Sequence, residues 1–397
     1  MKTIEKYLQI NEKKIVLIVI DGLGGLPYNE KTELESAETP NLNRLAKISS
    51  LGLTIPVDYG ITPGSGPAHL ALFGYDPEQY EIGRGILEAL GIGLEITKDD
   101  LCIRANFATI KNGIIIDRRA GRIATEENQR LCALLSSKIK SVSDIEVIIK
   151  PGKEHRFVIV LRGKGLNAQV SESDPQKDNL PPQKIQPLTS EAQKTADVLN
   201  IFIKQASEIL ENEWPANYFL LRGYAQHPDL PLISKRYRLK PAAIATYPMY
   251  KGIAKLLGME VLDTQENWED EIITLQKRYH DFDFFYVHFK ETDMKGEDGD
   301  FLGKVKLIEK FDALLPEILK LNFDVLCITA DHSTPAVLKS HSWHPNPFLL
   351  YSPYVLGDGY EKFSERNCAK GSLGIFPQTK VMQLLLAHSL KLKKFGA

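Results

Sequence analysis

The pattern of hydrophobic and polar positions contains three mostly apolar segments, the first of them unbroken, and each is short enough to be a strand. They are residues 15–20, 282–288 and 324–330. A run of this length is typical of a strand that is buried on both faces, as in a parallel sheet. Helical patterns lie between these segments, for example over 190–213. The order of elements therefore predicts an α/β fold with a mostly parallel sheet flanked by helices.

Acidic residues and a histidine follow these predicted strands. Asp21 ends the first strand, Asp293 comes shortly after the second, and Asp331 with His332 follows the third. The carboxyl ends of such strands form the edge where open α/β sheets bind ligands. Asp331 and His332 offer oxygen and nitrogen donors to a divalent ion, and His341 adds a third donor in the same loop. Singly, Asp21 could belong to a turn and Asp331 could cap a helix, but together they favour a metal site.

A serine between two glycines lies in the segment 62–69. Ser65 follows Gly64 and precedes Gly66 and Pro67. Proline fits the first position of a helix, and the free amides of that first turn would face an anion bound to Ser65. The segment predicts an exposed nucleophilic hydroxyl within reach of a phosphate. A capping serine in a Gly/Pro loop is the alternative.

Composition and charge exclude several classes of protein. The chain has 397 residues, of which 43% are hydrophobic, so it is long and apolar enough to form the hydrophobic cores of two domains. Its net charge of −2 gives no basic field for nucleic acid or an anionic membrane. The four cysteines lack C-x-x-C spacing and indicate reduced, buried thiols. With no apolar run of transmembrane length, we expect a cytoplasmic protein.

Six segments, in the same order along the chain, resemble the archaeal-type cofactor-independent phosphoglycerate mutases of the alkaline phosphatase superfamily. They are residues 21–24, 63–77, 83–91, 104–109, 117–122 and 331–335. The resemblance extends from about residue 14 to beyond residue 380, so it is more specific than any single motif. It implies an alkaline-phosphatase-like fold that carries an inserted, smaller α/β domain.

The resemblance also implies a reaction. 3-Phosphoglycerate and 2-phosphoglycerate would interconvert through a phosphoserine, with two divalent metal ions and without bisphosphoglycerate. Mn²⁺ is the expected metal, and Mg²⁺, Co²⁺ and Zn²⁺ are alternatives. Ser65 is the implied nucleophile. The implied ligands are Ser65, Asp21, Asp331 and His332 for one ion, and Asp293 and His341 for the other.

One position departs from the family pattern. In the archaeal type a histidine follows the equivalent of Asp293 by four residues, and this chain has Glu297 there. Glutamate keeps a ligand at the same spacing, and its oxygen favours the hard ions Mn²⁺ and Mg²⁺ over Zn²⁺. We therefore expect Glu297 to complete the second metal site. A solvated Glu297, with fewer ligands or with His344 in its place, is the alternative.

The expected domains are a metal-binding core of residues 1–92 and 241–397 and an inserted substrate-binding domain of residues 93–240. Arginine matches carboxylate and phosphate with two parallel hydrogen bonds. The candidate substrate-binding arginines are Arg118, Arg119, Arg122 and Arg222, with solvated surface arginines as the alternative. Lys251 is expected at the metal edge, where it would offset charge on the nucleophile, or else in solvent at a helix start. His69 is expected to be a structural histidine.

Other functions remain open at this point. A metal-dependent phosphomonoesterase would use the same serine and metals but release the phosphate to water. A homoserine-kinase-like phosphotransferase of the same superfamily would need a nucleotide, and the chain has no Gly-x-x-x-x-Gly-Lys-[Ser/Thr] loop. A binding protein built on a decayed site is the third alternative. The expected partner is the small-molecule substrate, with no nucleic acid or membrane, and a homo-oligomer is left open.

Overall fold

The computed structural model describes residues 4–396. The chain divides into two compact units. One comprises the chain up to Glu81 and from Leu230 onward, and the other comprises Ile82–Asp229. The predicted core began at residue 1 and ended at residue 397, and residues 1–3 and 397 lie outside the described part. Within that part, no helix is long and apolar enough to cross a membrane.

The strands of the described residues are β1 (Ile15–Ile20), β2 (Ser50–Ile55), β3 (Asp100–Lys111), β4 (Ile114–Asp117), β5 (Ser141–Val142), β6 (Ile145–Pro151), β7 (Arg156–Arg162), β8 (Tyr218–Gln226), β9 (Pro241–Ile244), β10 (Glu260–Val261), β11 (Phe284–Phe289), β12 (Val325–Thr329), β13 (Asn346–Tyr351) and β14 (Gly374–Pro377).

The α-helices are α1 (Glu33–Ser36), α2 (Pro40–Lys47), α3 (Ser65–Leu72), α4 (Arg84–Gly91), α5 (Thr125–Lys138), α6 (Gln193–Leu210), α7 (Ile233–Tyr237), α8 (Pro248–Leu256), α9 (Trp268–Arg278), α10 (Glu291–Asp298), α11 (Phe301–Leu319), α12 (Glu365–Cys368) and α13 (Val381–His388). Short 3₁₀ helices lie at Ile4–Tyr7, Ala120–Arg122, Ser190–Ala192, Tyr279–Asp281 and Gln378–Lys380.

An eight-stranded sheet forms the centre of the first unit, in the order β10-β9-β11-β1-β12-β13-β2-β14. β1 pairs in parallel with β11 on one side and β12 on the other, whereas β13 is antiparallel to both of its neighbours. Every residue of β1 is buried, as expected for a strand of Ile, Val and Leu between two others. Helices α2, α9 and α11 pack on one face through Leu42, Leu275 and Phe311. The predicted mostly parallel sheet flanked by helices is confirmed.

The neighbouring positions of β11, β1 and β12 determine where the predicted ligands lie. Ile20 pairs with Phe289, and Val19 pairs with Thr329. All three strands therefore end at the same edge of the sheet. The segments that follow them carry the acids and the histidine selected from the sequence.

The second unit contains an antiparallel sheet in the order β4-β3-β7-β6-β5, with β8 paired to β3. Helices α5 and α6 cover one face, where Leu131 and Phe202 pack with Phe107 and Phe219. This unit is the smaller inserted α/β module that the sequence predicted. The helix expected over 190–213 is a 3₁₀ turn, Ser190–Ala192, followed by α6.

Both ends of the inserted domain and the start of one helix differ from the sequence prediction. The sequence predicts the inserted domain at 93–240, whereas the second unit covers Ile82–Asp229. The N-terminal end lies earlier because α4 packs on the sheet of the second unit, where a Cβ on Gly85 would lie 2.4 Å from the carbonyl oxygen of Cys102. The C-terminal end lies earlier because α7 belongs to the first unit, where the Tyr237 hydroxyl donates to the carbonyl oxygen of Phe73. The helix expected to start at Pro67 begins at Ser65, with Gly64 as its N-cap. Ser65 is thus the first helical residue.

Candidate active site

The end of the central strands brings together a first group of potential metal ligands, formed by Asp21, Asp331 and His332. Their ligand atoms all lie within 4.8 Å of one another, and all three side chains are fully buried. His332 Nε2 lies 3.0 Å from Asp331 Oδ2 and 3.5 Å from Asp21 Oδ1. The segments after β1 and β12 therefore converge as predicted.

A second group consists of Asp293, His341 and, again, His332. His341 Nε2 lies 3.5 Å from Asp293 Oδ1, and the imidazole rings of His332 and His341 stack with their centroids 3.6 Å apart. Asp293 is buried on α10, whereas His341 is half-buried and reaches the site from the loop before β13. Because His332 belongs to both groups, the two potential sites are adjacent.

Unpaired buried oxygens indicate that the first group suits a cation. Asp21 Oδ1 and Asp331 Oδ2 are buried and have no partner with hydrogen-bond geometry. Burial opposes the charged form of His332, but Asp331, Asp21 and Asp293 outweigh burial and raise the pKa of that ring to about 9. Burial likewise opposes the ionised form of Asp331, yet the facing His332 holds its pKa well below the ordinary value. The two buried carboxylate oxygens without a hydrogen-bond partner fit a divalent ion.

Ser65 lies at the edge of these groups. Its Oγ is 3.2 Å from His332 Nε2, and the residue is half-buried, unlike the fully buried ligands. As the first residue of α3 it presents its hydroxyl beside the free amides of a helix N-terminus, a position that favours a phosphate. The predicted nucleophile is therefore next to the predicted ligands and accessible.

Three side chains that the sequence did not single out hold Asp21 Oδ2. The Tyr250 hydroxyl donates a hydrogen bond to it, His288 Nε2 lies 3.3 Å away, and Lys290 Nζ lies 3.1 Å away. Lys290 also donates to Asp293. Burial opposes the charge of Lys290, but the two carboxylates raise its pKa above the ordinary lysine value. Lys290 follows β11 directly, so the strand-end pattern could have identified it.

His69 has the structural role expected from the sequence. Its ring is fully buried, which lowers its pKa to about 4 and keeps it neutral. Nδ1 lies 2.9 Å from the carbonyl oxygen of Ser65, so the Nδ1–H donates to the first turn of α3. The same nitrogen is 3.4 Å from Asp331 Oδ2.

The two candidates for the last ligand of the second group differ in their surroundings. Glu297 Oε1 lies 3.7 Å from His341 Nε2, and Glu297 shares a face of α10 with Asp293. His344 instead lies against Ser342 and stacks on the neighbouring tryptophan. Ligation by either residue stays a prediction.

Lys251 is half-buried on α8, one residue from Tyr250. Its charge acts on Glu271 of α9. Burial raises the pKa of Glu271 to about 9, and the charge of Lys251 partly offsets that increase. The expected role of Lys251 at the metal edge stays a prediction.

In the second unit, the four arginines selected from the sequence differ in whether a carboxylate already pairs with them. Arg118 forms two hydrogen bonds of 2.8 Å to the buried carboxylate of Asp174, and Arg222 lies 3.7 Å from the same carboxylate. Arg119 and Arg122 are both exposed. Arg118 is thus already paired, whereas Arg119 and Arg122 are the more available cations.

Further polar residues, to which the sequence analysis gave no individual role, share one face of that sheet. Asn106 pairs with Arg156 across β3 and β7, and Arg104 pairs with Arg222 across β3 and β8. Arg104 Nε lies 3.0 Å from Glu88 of α4. This face is opposite the apolar core of the unit, so it forms a polar, arginine-rich surface. The sequence signals were the interruption of an otherwise apolar strand by Arg104 and Asn106 and the place of 104–109 among the six resembling segments.

The electrostatics of this surface are positive. Burial and the charges of Arg156, Arg119, Arg104 and Arg122 together lower the pKa of His155 to about 4. Such a concentration of guanidinium groups within one unit suits a small anion that carries phosphate or carboxylate.

Known proteins are similar to this chain over its whole length. A family model described as 2,3-bisphosphoglycerate-independent phosphoglycerate mutase matches residues 46–217. The chain is 54% identical to an Aquifex aeolicus protein, with 100% of both covered, and 50% identical to a Thermus thermophilus protein, with 99% and 98% covered. Both carry the name "Probable 2,3-bisphosphoglycerate-independent phosphoglycerate mutase".

Two solved structures are also similar. The cofactor-independent phosphoglycerate mutase from Thermoplasma acidophilum is 33% identical with a TM-score of 0.74, over 95% of this chain and 100% of that one. A Pyrococcus horikoshii protein is 31% identical with a TM-score of 0.84, over 98% of this chain and 100% of that one. Sequence and fold similarity therefore cover both units.

Proposed function

This chain belongs to the family of 2,3-bisphosphoglycerate-independent phosphoglycerate mutases, and on that premise we propose that it interconverts 3-phosphoglycerate and 2-phosphoglycerate. Such an enzyme is an isomerase that transfers a phosphoryl group within one molecule. The observation that carries the proposal is the accessible Ser65 hydroxyl, 3.2 Å from a histidine shared by two groups of potential metal ligands. The proposed transfer passes through a phosphoserine and requires no bisphosphoglycerate.

Each half of the proposed reaction exchanges one ester bond for another. Ser65 Oγ forms a bond to phosphorus while the bond between phosphorus and O3 of the glycerate breaks, and the serine proton passes to that oxygen. The O2 hydroxyl then attacks the same phosphorus, gives up its proton, and Ser65 leaves and is protonated again. No water is consumed, so water must be kept from the phosphoserine while the glycerate turns.

We propose that Asp21, Ser65, Asp331 and His332 hold one divalent ion. Asp293, Glu297 and His341 are proposed to hold the second. Bound ions would lower the pKa of the Ser65 hydroxyl and offset charge on the phosphoryl oxygens. The predominance of carboxylate oxygens among these residues supports a hard ion such as Mn²⁺. Lys290 holds Asp21 and Asp293 close to each other, which positions one carboxylate of each set.

Replacement of Glu297 is expected to change the metal content of the protein. We expect Glu297→Ala to lose about one Mn²⁺ per chain and much of its activity, because the ion beside Asp293 and His341 loses an oxygen ligand. High Mn²⁺ should restore part of the activity. We expect Glu297→His to remain active but to shift the preferred metal towards Co²⁺ and Zn²⁺, which imidazole suits better. Metal analysis of the dialysed proteins measures both effects.

His344→Ala is the matched control, because His344 lies in the same loop as His341 and contacts Ser342. It should keep two ions. Full metal content and activity in Glu297→Ala, together with a loss of metal in His344→Ala, would assign the ligand to His344 instead.

The inserted unit is proposed to bind the substrate. Support comes from its arginine-rich polar face and from the available Arg119 and Arg122. Guanidinium groups pair with phosphate and carboxylate, the two anionic groups of phosphoglycerate. Arg118 and Arg222 are proposed to take part through Asp174, which orients both. Lys251 is proposed to offset charge near the nucleophile, and the support for this is that it neighbours a ligand-holding tyrosine on α8.

We also propose a cytoplasmic location. Cys102, Cys132, Cys327 and Cys368 are all buried free thiols, as is usual in a reducing compartment.

Product analysis tests the proposed function. The purified protein is incubated with 3-phosphoglycerate and Mn²⁺, without bisphosphoglycerate, while 2-phosphoglycerate and free phosphate are both followed by phosphorus NMR. We expect 2-phosphoglycerate to accumulate to equilibrium with little free phosphate, because the same substrate molecule receives the phosphoryl group back. Stoichiometric phosphate release without 2-phosphoglycerate would identify a phosphomonoesterase instead.

A further inference from the structure

Thr334 touches both groups of potential metal ligands. It lies two residues after His332, and its side chain is fully buried. Its Oγ1 is 2.7 Å from Asp293 Oδ1 and 2.9 Å from His332 Nδ1. Asp293 belongs to one group of ligands, whereas His332 belongs to both. A single hydroxyl therefore connects the two groups.

The donors and acceptors around this hydroxyl determine which ring nitrogen of His332 is free. Threonine has one hydroxyl proton, and an ionised carboxylate can only accept, so that proton goes to Asp293. The lone pair of Oγ1 then faces His332 Nδ1, which must carry a proton and donate it. The other nitrogen, Nε2, faces Asp331 Oδ2 at 3.0 Å and Ser65 Oγ at 3.2 Å. Because Thr334 occupies Nδ1, a metal ion that binds the ring would take the place of the proton on Nε2.

The surrounding chain fixes Thr334 in this position. Its backbone N–H donates to the carbonyl oxygen of Gly24 at 3.1 Å, and its carbonyl accepts from the buried Lys304 Nζ at 2.9 Å. A Cβ on Gly22 would lie 2.7 Å from Thr334 Oγ1, and one on Gly296 would lie 2.2 Å from its carbonyl oxygen. The backbone of Thr334 is therefore closely packed and hydrogen-bonded on both sides, which places its hydroxyl between the two partners.

We propose that Thr334 is a positioning residue that couples the two metal sites. An ion bound beside Asp293 fixes the position of that carboxylate. The fixed carboxylate holds the Thr334 hydroxyl in one orientation, and the hydroxyl in turn fixes the orientation of the His332 ring. The effect is reciprocal, because coupling between two binding sites acts equally in both directions. The two ions therefore bind with positive cooperativity. This inference rests on the two-metal function proposed above.

Calorimetric titration of the metal-free protein with Mn²⁺ tests the coupling. Thr334→Val keeps the shape of the side chain and removes the hydroxyl, whereas Thr334→Ser keeps the hydroxyl and removes the methyl group. We expect wild type and Thr334→Ser to bind two ions cooperatively. Thr334→Val should bind them without cooperativity and about 10- to 100-fold more weakly, the usual effect of removing a hydrogen-bonding partner of a metal ligand.

Each other outcome has a definite meaning. Wild-type affinity and cooperativity in Thr334→Val would overturn the proposal, and so would equal losses in the valine and serine variants, which would trace the effect to packing. Two independent ions in wild type would overturn the coupling and leave the two-metal function intact. Fewer than two ions in wild type would overturn both. Circular dichroism shows whether each variant is folded. If Thr334→Val does not fold, Thr334→Ala is the second variant that lacks the hydroxyl.

Discussion

Replacement of Ser65 by alanine is expected to lower mutase turnover by about four orders of magnitude or more, as the loss of a covalent nucleophile typically does. The reason is that Ser65 is the proposed acceptor of the phosphoryl group, and its hydroxyl lies at the accessible edge of the buried ligands. Mn²⁺ binding should weaken much less, since carboxylates and histidines supply most of the proposed ligands. Steady-state turnover and Mn²⁺ titration of the same preparation measure the two effects.

Ser137→Ala is the control for this comparison, because Ser137 is exposed on α5 and its hydroxyl donates to a carbonyl of its own helix. It should retain full turnover. If Ser65→Ala kept more than a tenth of the wild-type rate, a loss of only about 1.4 kcal/mol of transition-state stabilisation, direct transfer between the two glycerate oxygens would be the better mechanism.

Removal of divalent metal is expected to abolish turnover and to lower thermal stability. Asp21 and Asp331 are buried with oxygens that lack a hydrogen-bonding partner, and an ion would compensate their charge. Mn²⁺ at about 100 times its dissociation constant should stabilise the fold by about 2.7 kcal/mol for each independent site. Chelation followed by dialysis, with turnover and thermal unfolding measured before and after Mn²⁺ is returned, gives both values.

The added Mn²⁺ should restore activity and melting temperature together. Turnover that survives complete chelation would exclude the two-metal mechanism. A melting temperature that does not respond to Mn²⁺ would show that the carboxylate groups are compensated by other means, and Lys290 would be the first candidate.

The main features of the core sheet could be predicted from the sequence because its strands are apolar on both faces. β1, β11 and β12 form nearly continuous apolar runs, and polar residues follow each of them. Parallel pairing then places the residues after all three strands at one edge. This is why Asp21, Asp293, Asp331 and His332 could be grouped without any structure.

The element boundaries were less predictable, for local reasons. Proline can occupy any position of the first helical turn, so Pro67 did not identify Ser65 as the start of α3. The sequence of α4 has an apolar face, but this face does not indicate whether the helix packs on the sheet of the first or of the second unit. Its contact with the second unit depends on the close approach permitted by Gly85 and Gly223, which only the folded chain shows.

The side chains that orient the ligands were missed because their role depends on contacts between distant segments. Tyr250 reaches Asp21 across 229 positions of the chain, and Lys304 reaches Gly24 across 280. Neither residue belongs to a sequence pattern that would distinguish it from an ordinary core tyrosine or a solvated lysine. Thr334 was visible within the motif after β12, but its two hydrogen bonds could not be inferred from that motif.

The most direct test of the central claim is to locate the phosphoryl group during turnover. Wild-type protein is mixed with 3-phosphoglycerate and Mn²⁺ and quenched in acid within the first turnovers. The digested peptides are then analysed by mass spectrometry, with Ser65→Ala as the blank. We predict phosphate on Ser65 in the wild type, at a level that rises with substrate concentration, and none at this position in the variant. Rapid turnover without any phosphorylated Ser65, or phosphate on a different residue, would contradict the phosphoserine mechanism.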